Sequence, residues 1–508
     1  MRSVIVPLGL LLSGCGGLPS LEGRSASFAL EDTAGTRLAR AVAPHVAAHP
    51  ARTGIYALAE PVDAFAARVL LAAAADRSLD VQYYIWHGDQ TGWLLFEAIH
   101  RAAQRGVRVR LLLDDNGVAG LDPTLAALDA HPNIEVRLYN PFAQRRARAL
   151  QYATDFTRLN RRMHNKSFTA DSQASIVGGR NVGNEYFGAG RETLFEDLDV
   201  LAVGPAVGEV SKAFDLYWNS ASAYPVASLL SAPGPQAAAQ LEADFAATRA
   251  DPGSAAYVKA LRETPLVSEL LAGRLALEWA EARLLRDDPA KTLDTTGRTD
   301  VLLLAELLRS TARAEKSFDL ISPYFVPGKE GSAGLEALAR RGVAVRVLTN
   351  SLAATDVGAV HAGYAKRREA LLRAGVRLYE LKPTAERDAP RGKRASGSSS
   401  ASLHAKTFSL DRSRSFVGSF NFDQRSALLN TEMGLMIDSP VLGRRLAEVL
   451  DEKLPRAAYE VRLAADGGLE WIERTAAGET RYTTEPGAGM LRRAWIRFLS
   501  VLPIEWLL

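Results

Sequence analysis

Two segments 240 residues apart carry the same arrangement of polar side chains, and this duplication constrains the fold more than any other feature of the chain. The first reads His164-Asn165-Lys166-Ser167-Phe168-Thr169-Ala170-Asp171 and is followed by Gly178-Gly179-Arg180-Asn181. The second reads His404-Ala405-Lys406-Thr407-Phe408-Ser409-Leu410-Asp411 and is followed by Gly418-Ser419-Phe420-Asn421. In both, the Asn lies 17 residues after the His. One His-x-Lys-x4-Asp is a weak signal; two copies with the same downstream Gly-small-x-Asn describe a repeated unit. The flanks repeat as well: Val81–Trp86 matches Ile321–Val326, and Ala103–Val109 matches Ala339–Val345.

Around the motifs the pattern alternates between helix and strand. Helical spacing of apolar residues predicts helices over 63–75, 92–105 and 205–218 in the first half, and over 301–314, 334–341, 361–374 and 440–454 in the second. Short alternating runs predict strands over 79–86, 107–113, 134–139, 166–169, 174–177 and 198–203, then 317–324, 343–349, 376–380, 405–410, 415–417 and 433–437. Such alternation implies an α/β fold of two similar domains, each a mixed sheet flanked by helices. The divisions are a first domain over 52–225, a mostly helical connection over 226–300, a second domain over 301–460 and a C-terminal segment over 461–508. Residues 384–403 read as a basic, Ser-rich loop leading into the second motif. The tail, with Trp495, Phe498, Leu502 and Trp506, reads as either a packed terminal helix or a membrane-surface anchor.

The chain has one cysteine, Cys15, so an internal disulfide is excluded. Arg2, the apolar run Val4–Leu12 and the small residues before Cys15 read as a secretory signal over 1–14, too short to span a bilayer. Leu12-Ser13-Gly14-Cys15 resembles the bacterial lipoprotein signal, in which the Cys is lipidated; Gly16 after it fits outer-membrane sorting. Residues 15–51 then read as a tether plus an N-terminal approach segment. The net charge of +3 is a weak bias, so any basic binding surface must be local. The run Arg145, Arg146, Arg148, Arg158, Arg161, Arg162 and Lys166, opposed only by Asp155, suits either nucleic acid or anionic headgroups; few aromatics are interleaved, which favours lipid.

In a strand, residues i and i+2 face the same side, so His164 points with Lys166 and His404 with Lys406. Gly178, Gly179, Gly418 and Ser419 are small enough for backbone N–H groups to approach an anion, and Asn181 and Asn421 add donors. Together they suit a phosphoryl group whose charge grows during transfer. One imidazole can attack phosphorus while the other moves protons. Each ring needs an acceptor to orient it. The candidates are Asp197, with Glu196 behind it, and Glu432, each opening the strand that follows; Glu192 and Asp199 belong to solvated faces or the strand edge. Asp171 and Asp411 are expected to hold the motif by hydrogen bonds. A zinc site is disfavoured because a cation accompanies each His and no His/Cys/carboxylate set has ligand spacing. No metal and no cofactor are expected.

These residues resemble the phospholipase D superfamily, over about 52–508. Asn160–Ser167, Ser402–Phe408, Gly418–Glu432 and the ending Leu502–Glu505 are similar to the bacterial cardiolipin synthases, the C type in particular. The resemblance implies two domains about a pseudo-twofold axis with one site at their interface, and metal-free ping-pong phosphatidyl transfer with His164 as nucleophile and His404 as general acid. It implies membrane phospholipids as partners, phosphatidylglycerol and also phosphatidylethanolamine, and no nucleic acid. With the lipidated Cys15 it places the enzyme in the envelope, facing the periplasm, on the outer side of the inner membrane or, as Gly16 favours, on the inner leaflet of the outer membrane. Gly179 departs from the usual Ser. Hydrolysis by a phospholipase D or nuclease, and a non-catalytic lipid-anchored protein, are the alternatives; intact motifs in both halves argue against the last.

Overall fold

The computed structural model describes residues 17–189, 194–266, 269, 274–294, 302–383, 401–502, 505 and 508. The signal at 1–14, Cys15, Glu192 and most of the basic loop, 384–400, lie outside them.

The first half builds a mixed sheet in the spatial order Ala223–Pro225, Ile134–Tyr139, Arg108–Gly117, Ser78–Ile85, Ser167–Ala170, Ala174–Gly178, Asp199–Val203 and Thr53–Leu58. Arg108–Gly117 is parallel to both neighbours; every other pairing is antiparallel. The second half repeats the order from its far edge: Ala458–Leu463, Arg377–Leu381, Ala344–Asn350, Ser317–Ile321, Lys406–Leu410, Arg414–Gly418 and Met433–Asp438. Ala344–Asn350 is again parallel to both neighbours.

The same buried ion pair recurs in both sheets. Arg110 binds Asp80 at 2.7 and 2.8 Å across one parallel pair of strands, and Arg346 binds Asp319 at 2.6 and 3.0 Å across its counterpart. Asp80 and Arg110 are register partners, as are Asp319 and Arg346. Removing one member of such a pair strands a buried charge, worth roughly 3–5 kcal/mol. The repeated Arg-Gly joints are helix ends. Gly106 and Gly342 take φ of 95° and 89°, a left-handed turn that favours glycine. Arg105 and Arg341 beside them donate to the carbonyls of Ala72 and Ala314 at the end of a neighbouring helix.

Three of the segments carry elements beyond those read from the sequence. The connection 226–300 holds the helices Ala237–Ala250 and Pro252–Arg262, but also the strand Glu278–Arg286. That strand pairs at its start with Thr53–Leu58 and along the rest with Met433–Asp438, so it hands one sheet over to the other. Its alternation is masked in sequence by Glu278, Glu281, Arg283 and Arg286. Residues 17–50 are a docked element, not a tether. The Arg24 guanidinium donates to the carbonyls of Ser220, Ala223 and Asn219, Arg110 donates to Ser27 O, and 37–48 is helical. The C-terminal segment adds the strands Leu469–Thr475 and Gly478–Tyr482 before the helix Met490–Val501. The helix predicted over 361–374 is two, Gly358–Ala365 and Arg368–Arg373.

Between the halves lies an apolar layer of Ile55, Val177, Val200 and Ala202 against Val417, Met433, Leu435 and Ile437. It locks the motif-bearing hairpins together. No helix of the described residues is long and apolar enough to cross a membrane.

Candidate active site

Each motif begins on its own half and is completed by the other. The His164 N–H donates to Thr431 O at 2.9 Å, and the His404 N–H donates to Glu196 O at 2.8 Å. The short strand Ala401–Leu403 runs parallel to Leu194–Glu196. These backbone contacts bring the orienting carboxylates across the interface. His164 Nδ1 lies 2.8 Å from Glu432 Oε2, and His404 Nδ1 lies 2.5 Å from Asp197 Oδ2. Asp197 and Glu432 therefore orient the histidine of the opposite half. Each Nδ1 is tied to a carboxylate, and the Nε2 of His404 faces Lys406 Nζ at 3.0 Å.

The lysines point with their histidines, as the strand period requires. Lys166 Nζ donates to His164 O at 2.6 Å. Lys406 Nζ lies 2.9 and 3.0 Å from the ring nitrogens of His404. Burial lowers the proton affinity of His164 well below the ordinary imidazole value, and Lys166, Lys406 and His404 lower it further. Charges from both motifs thus act on one ring, which places them in one site. Burial, then Lys406, takes His404 down to about 4 against the pull of Asp197. Burial brings Lys166 to about 7 and Lys406 to about 8. The imidazole side chains keep 8% and 10% of their surface open.

The two carboxylates differ. Burial raises Glu432 to about 7, although Lys166, Ser419 and Ser426 oppose it. Its Oε2 accepts from Ser419 Oγ at 2.5 Å and its Oε1 from Ser426 Oγ at 2.8 Å. Burial also works to raise Asp197, but His404 and Lys406 overrule it and hold the carboxyl below its usual range. Gly179 stands where Ser419 stands in the other half. A Cβ there would meet Asp197 Oδ1 at 2.2 Å, so the aspartate occupies the space of the missing side chain. Its Oδ1 takes a hydrogen bond from the Leu198 N–H at 2.8 Å instead.

Asp171 and Asp411 sit in hairpin turns at φ of 52° and 53°, where Asp is among the few tolerant residues. Each carboxylate accepts three successive backbone N–H groups, from 76–78 and from 315–317. They fix the motif strand to its neighbour and lie away from the imidazoles.

The anion cradle read from the small residues is corrected. The Gly179 and Ser419 N–H groups donate to Leu198 O and Met433 O, so the strand ladder uses them. Gly178 and Gly418 are small because the next strand crosses there: a Cβ would meet Asp199 Oδ1 at 2.2 Å and Met433 O at 2.3 Å. The Asn181 amide accepts from Ile85 N and donates to Tyr186 Oη. Asn421 Oδ1 is buried with no partner among the described residues. Asp199 is fully buried and pairs with Arg68 at 2.8 Å; it is not a solvated edge residue. The basic run is also corrected. Arg145 and Arg148 pair with Asp115 and Asp122, Arg158 with Asp155, and Arg162 with Asp114. Of the rest of the run, Arg146 is exposed and Arg161 donates to Lys291 O.

Several site residues went unread in sequence. Tyr84 meets His164 edge-on at 5.0 Å, Tyr186 meets His404 at 5.0 Å, and Phe195 stacks on His404 at 5.1 Å. The matched stretches 81–86 and 321–326 pair Tyr84 with Tyr324, a signal for the first of these. Asp287 was also missed. Its Oδ2 accepts from Glu432 N at 2.8 Å and from Lys291 Nζ at 2.9 Å, tying the connection to the glutamate that holds His164.

The fold and this crossed pair of motifs define an enzyme of the phospholipase D superfamily. The family described as "Cardiolipin synthase, PLD-like domain" matches residues 69–218 and 307–454, and the chain belongs to it. It is 49% identical over 473 residues to Cardiolipin synthase C of Escherichia coli, covering 93% of this chain and 100% of that one. It is 26% identical over 391 residues to Cardiolipin synthase A of Pseudomonas putida strain GB-1, covering 76% and 66%. A crystal structure of phosphatidylserine synthase from Haemophilus influenzae shares the fold, with a TM-score of 0.57 at 15% identity over 93% of this chain and all of that one.

Proposed function

We propose that this chain makes cardiolipin by metal-independent, two-step phosphatidyl transfer. The observation that carries the reading is the pair of neutral, carboxylate-oriented imidazoles flanked by two ammonium groups in one largely buried site. The full-length likeness to Cardiolipin synthase C supports the substrate class.

His164 Nε2 attacks the donor's phosphorus. The P–N bond forms as the P–O bond to the headgroup breaks, and His404, which takes up a proton from water to become imidazolium when the anionic donor binds, gives its Nε2 proton to the departing alcohol. A phosphatidyl–His164 intermediate remains. The free hydroxyl of a phosphatidylglycerol then loses its proton to His404 and attacks phosphorus, breaking the P–N bond and releasing cardiolipin. Ionised Asp197 suits His404 to carry the proton, and the substrate's own negative charge raises its proton affinity on binding. Lys166 and Lys406 hold the phosphoryl oxygens. Their two ammonium groups also disfavour a further cation at the same place. The donor in this reading is phosphatidylglycerol or phosphatidylethanolamine. The enzyme is held at the envelope by a lipidated Cys15, facing the periplasm at the outer membrane.

Purified protein incubated with these lipids in EDTA is expected to yield cardiolipin plus free glycerol or ethanolamine by mass spectrometry. Phosphatidic acid as the main product would favour the water reading. Loss of turnover in the chelator would end the metal-free mechanism.

The lysines set a pH dependence. Both are ammonium below about 7, and they lose protons as pH rises through about 7 and 8. The binding charge is thus present at low pH and lost at high pH. KM for a micellar donor is expected to rise roughly tenfold between pH 7 and 9. A flat KM over that interval would contradict phosphate holding by these groups.

A further inference from the structure

The helix Met490–Val501 is fixed to the second half by one narrow side. Ile496 is buried against Leu352, Ala362 and Ala488, with Leu499 packed beside it. Arg492 donates to Thr355 O at 3.0 Å, and past the helix Lys366 donates to Leu502 O at 2.9 Å. The other side is apolar and open. Leu491 is 86% exposed, Trp495 57%, Phe498 53% and Val501 77%, and the Trp495 and Phe498 rings stack on each other at 5.5 Å. At 100° per residue Leu491, Trp495 and Phe498 fall within one arc, and Val501 and Met490 extend it. Arg492 and Arg497 stand on either side of the arc, Arg493 lies toward the buried side and donates to Ala488 O, and the helix has no Asp or Glu. A large exposed apolar and aromatic face on a helix with arginines and no carboxylate is the pattern of a helix lying in a lipid–water interface.

Its position adds to this. Thr355, which anchors Arg492, precedes Asp356; the Asp356 carboxylate accepts from Tyr324 Oη at 2.7 Å and acts electrostatically on Lys406 and Tyr186. Few contacts separate the helix from the wall of the site.

We propose that the face formed by Leu491, Trp495, Phe498 and Val501 docks on an anionic phospholipid bilayer and sets the site at headgroup depth, independently of any acyl chain on Cys15. This rests on the lipid reading of the site. The arginines match an anionic surface, and the exposed rings match the acyl boundary beneath it.

The test uses the full chain with Cys15→Ser, so that residue 15 carries no lipid, against Leu491→Ser/Trp495→Ser/Phe498→Ser in the same background. Co-sedimentation with vesicles of phosphatidylglycerol and phosphatidylethanolamine is expected to fall at least about tenfold in the triple variant. The parent is expected to bind vesicles lacking phosphatidylglycerol more weakly. Unchanged thermal unfolding would show that the variant is folded; if it is not, Trp495→Ser alone and quenching of Trp495 by bilayer-borne brominated lipid give the same answer. Equal vesicle binding by parent and triple variant overturns the proposal. So does a parent that forms a stable dimer through this face, or one whose face is covered by its own N-terminal segment, read as no quenching. Product formation in detergent micelles is scored separately: its absence with normal vesicle docking counts against the transfer reaction and leaves the docking face standing.

Discussion

His164→Ala and His404→Ala are each expected to lower cardiolipin formation by about ten-thousand-fold or more, because neither half holds a complete site. The two differ in what remains. A donor whose headgroup is p-nitrophenol needs no proton to depart. With it, His404→Ala should still release one equivalent of p-nitrophenol and become phosphatidylated on His164, visible as a mass increase on the intact protein. His164→Ala should give neither burst nor adduct. A burst in His164→Ala with the adduct on His404 would reverse the two roles. Substantial turnover by either variant would sink the shared site.

Asp197→Asn and Glu432→Gln are expected to cost about a hundred- to ten-thousand-fold in kcat with smaller changes in KM, since an amide can no longer fix the imidazole tautomer. The contacts cross between the halves, which gives a readout that general destabilisation would not move. Glu432→Gln should shift the Nδ1 proton resonance of His164 and leave that of His404 in place; Asp197→Asn should do the reverse. The paired losses should not add: Asp197→Asn on top of His404→Ala is expected to cost little more. Resonances that move in the same-half pattern would contradict the crossed geometry.

Much of this architecture was legible before any coordinate. The strands 134–139 and the helix 205–218 fall at the residues read from periodicity, and the motif hairpins within a residue or two. The motif strands are short, apolar on one face and bounded by glycines, so local pattern and tertiary context agree. The strand Glu278–Arg286 escaped because charged residues lie on both of its faces while its pairing is decided by two distant partners. The arginine run was misread for a related reason. Spacing reports which charges share a segment, whereas Asp114, Asp115 and Asp122 meet those arginines from another strand and the helix that follows it. The crossing of Asp197 and Glu432 was likewise invisible, since a duplicated sequence does not say which copy serves which.

The strand that passes from one sheet to the other bears on how this chain could be cut. A break between 294 and 302 would leave Glu278–Arg286 with its longer side unpaired, and would give Met433–Asp438 a bare edge of backbone donors and acceptors. Exposed edges of that kind recruit other strands and aggregate. Each fragment would also keep an imidazole while losing the acid that steadies it. The protein is therefore best regarded as an obligate partnership written into a single polypeptide, in which solubility and chemistry depend on the same seam.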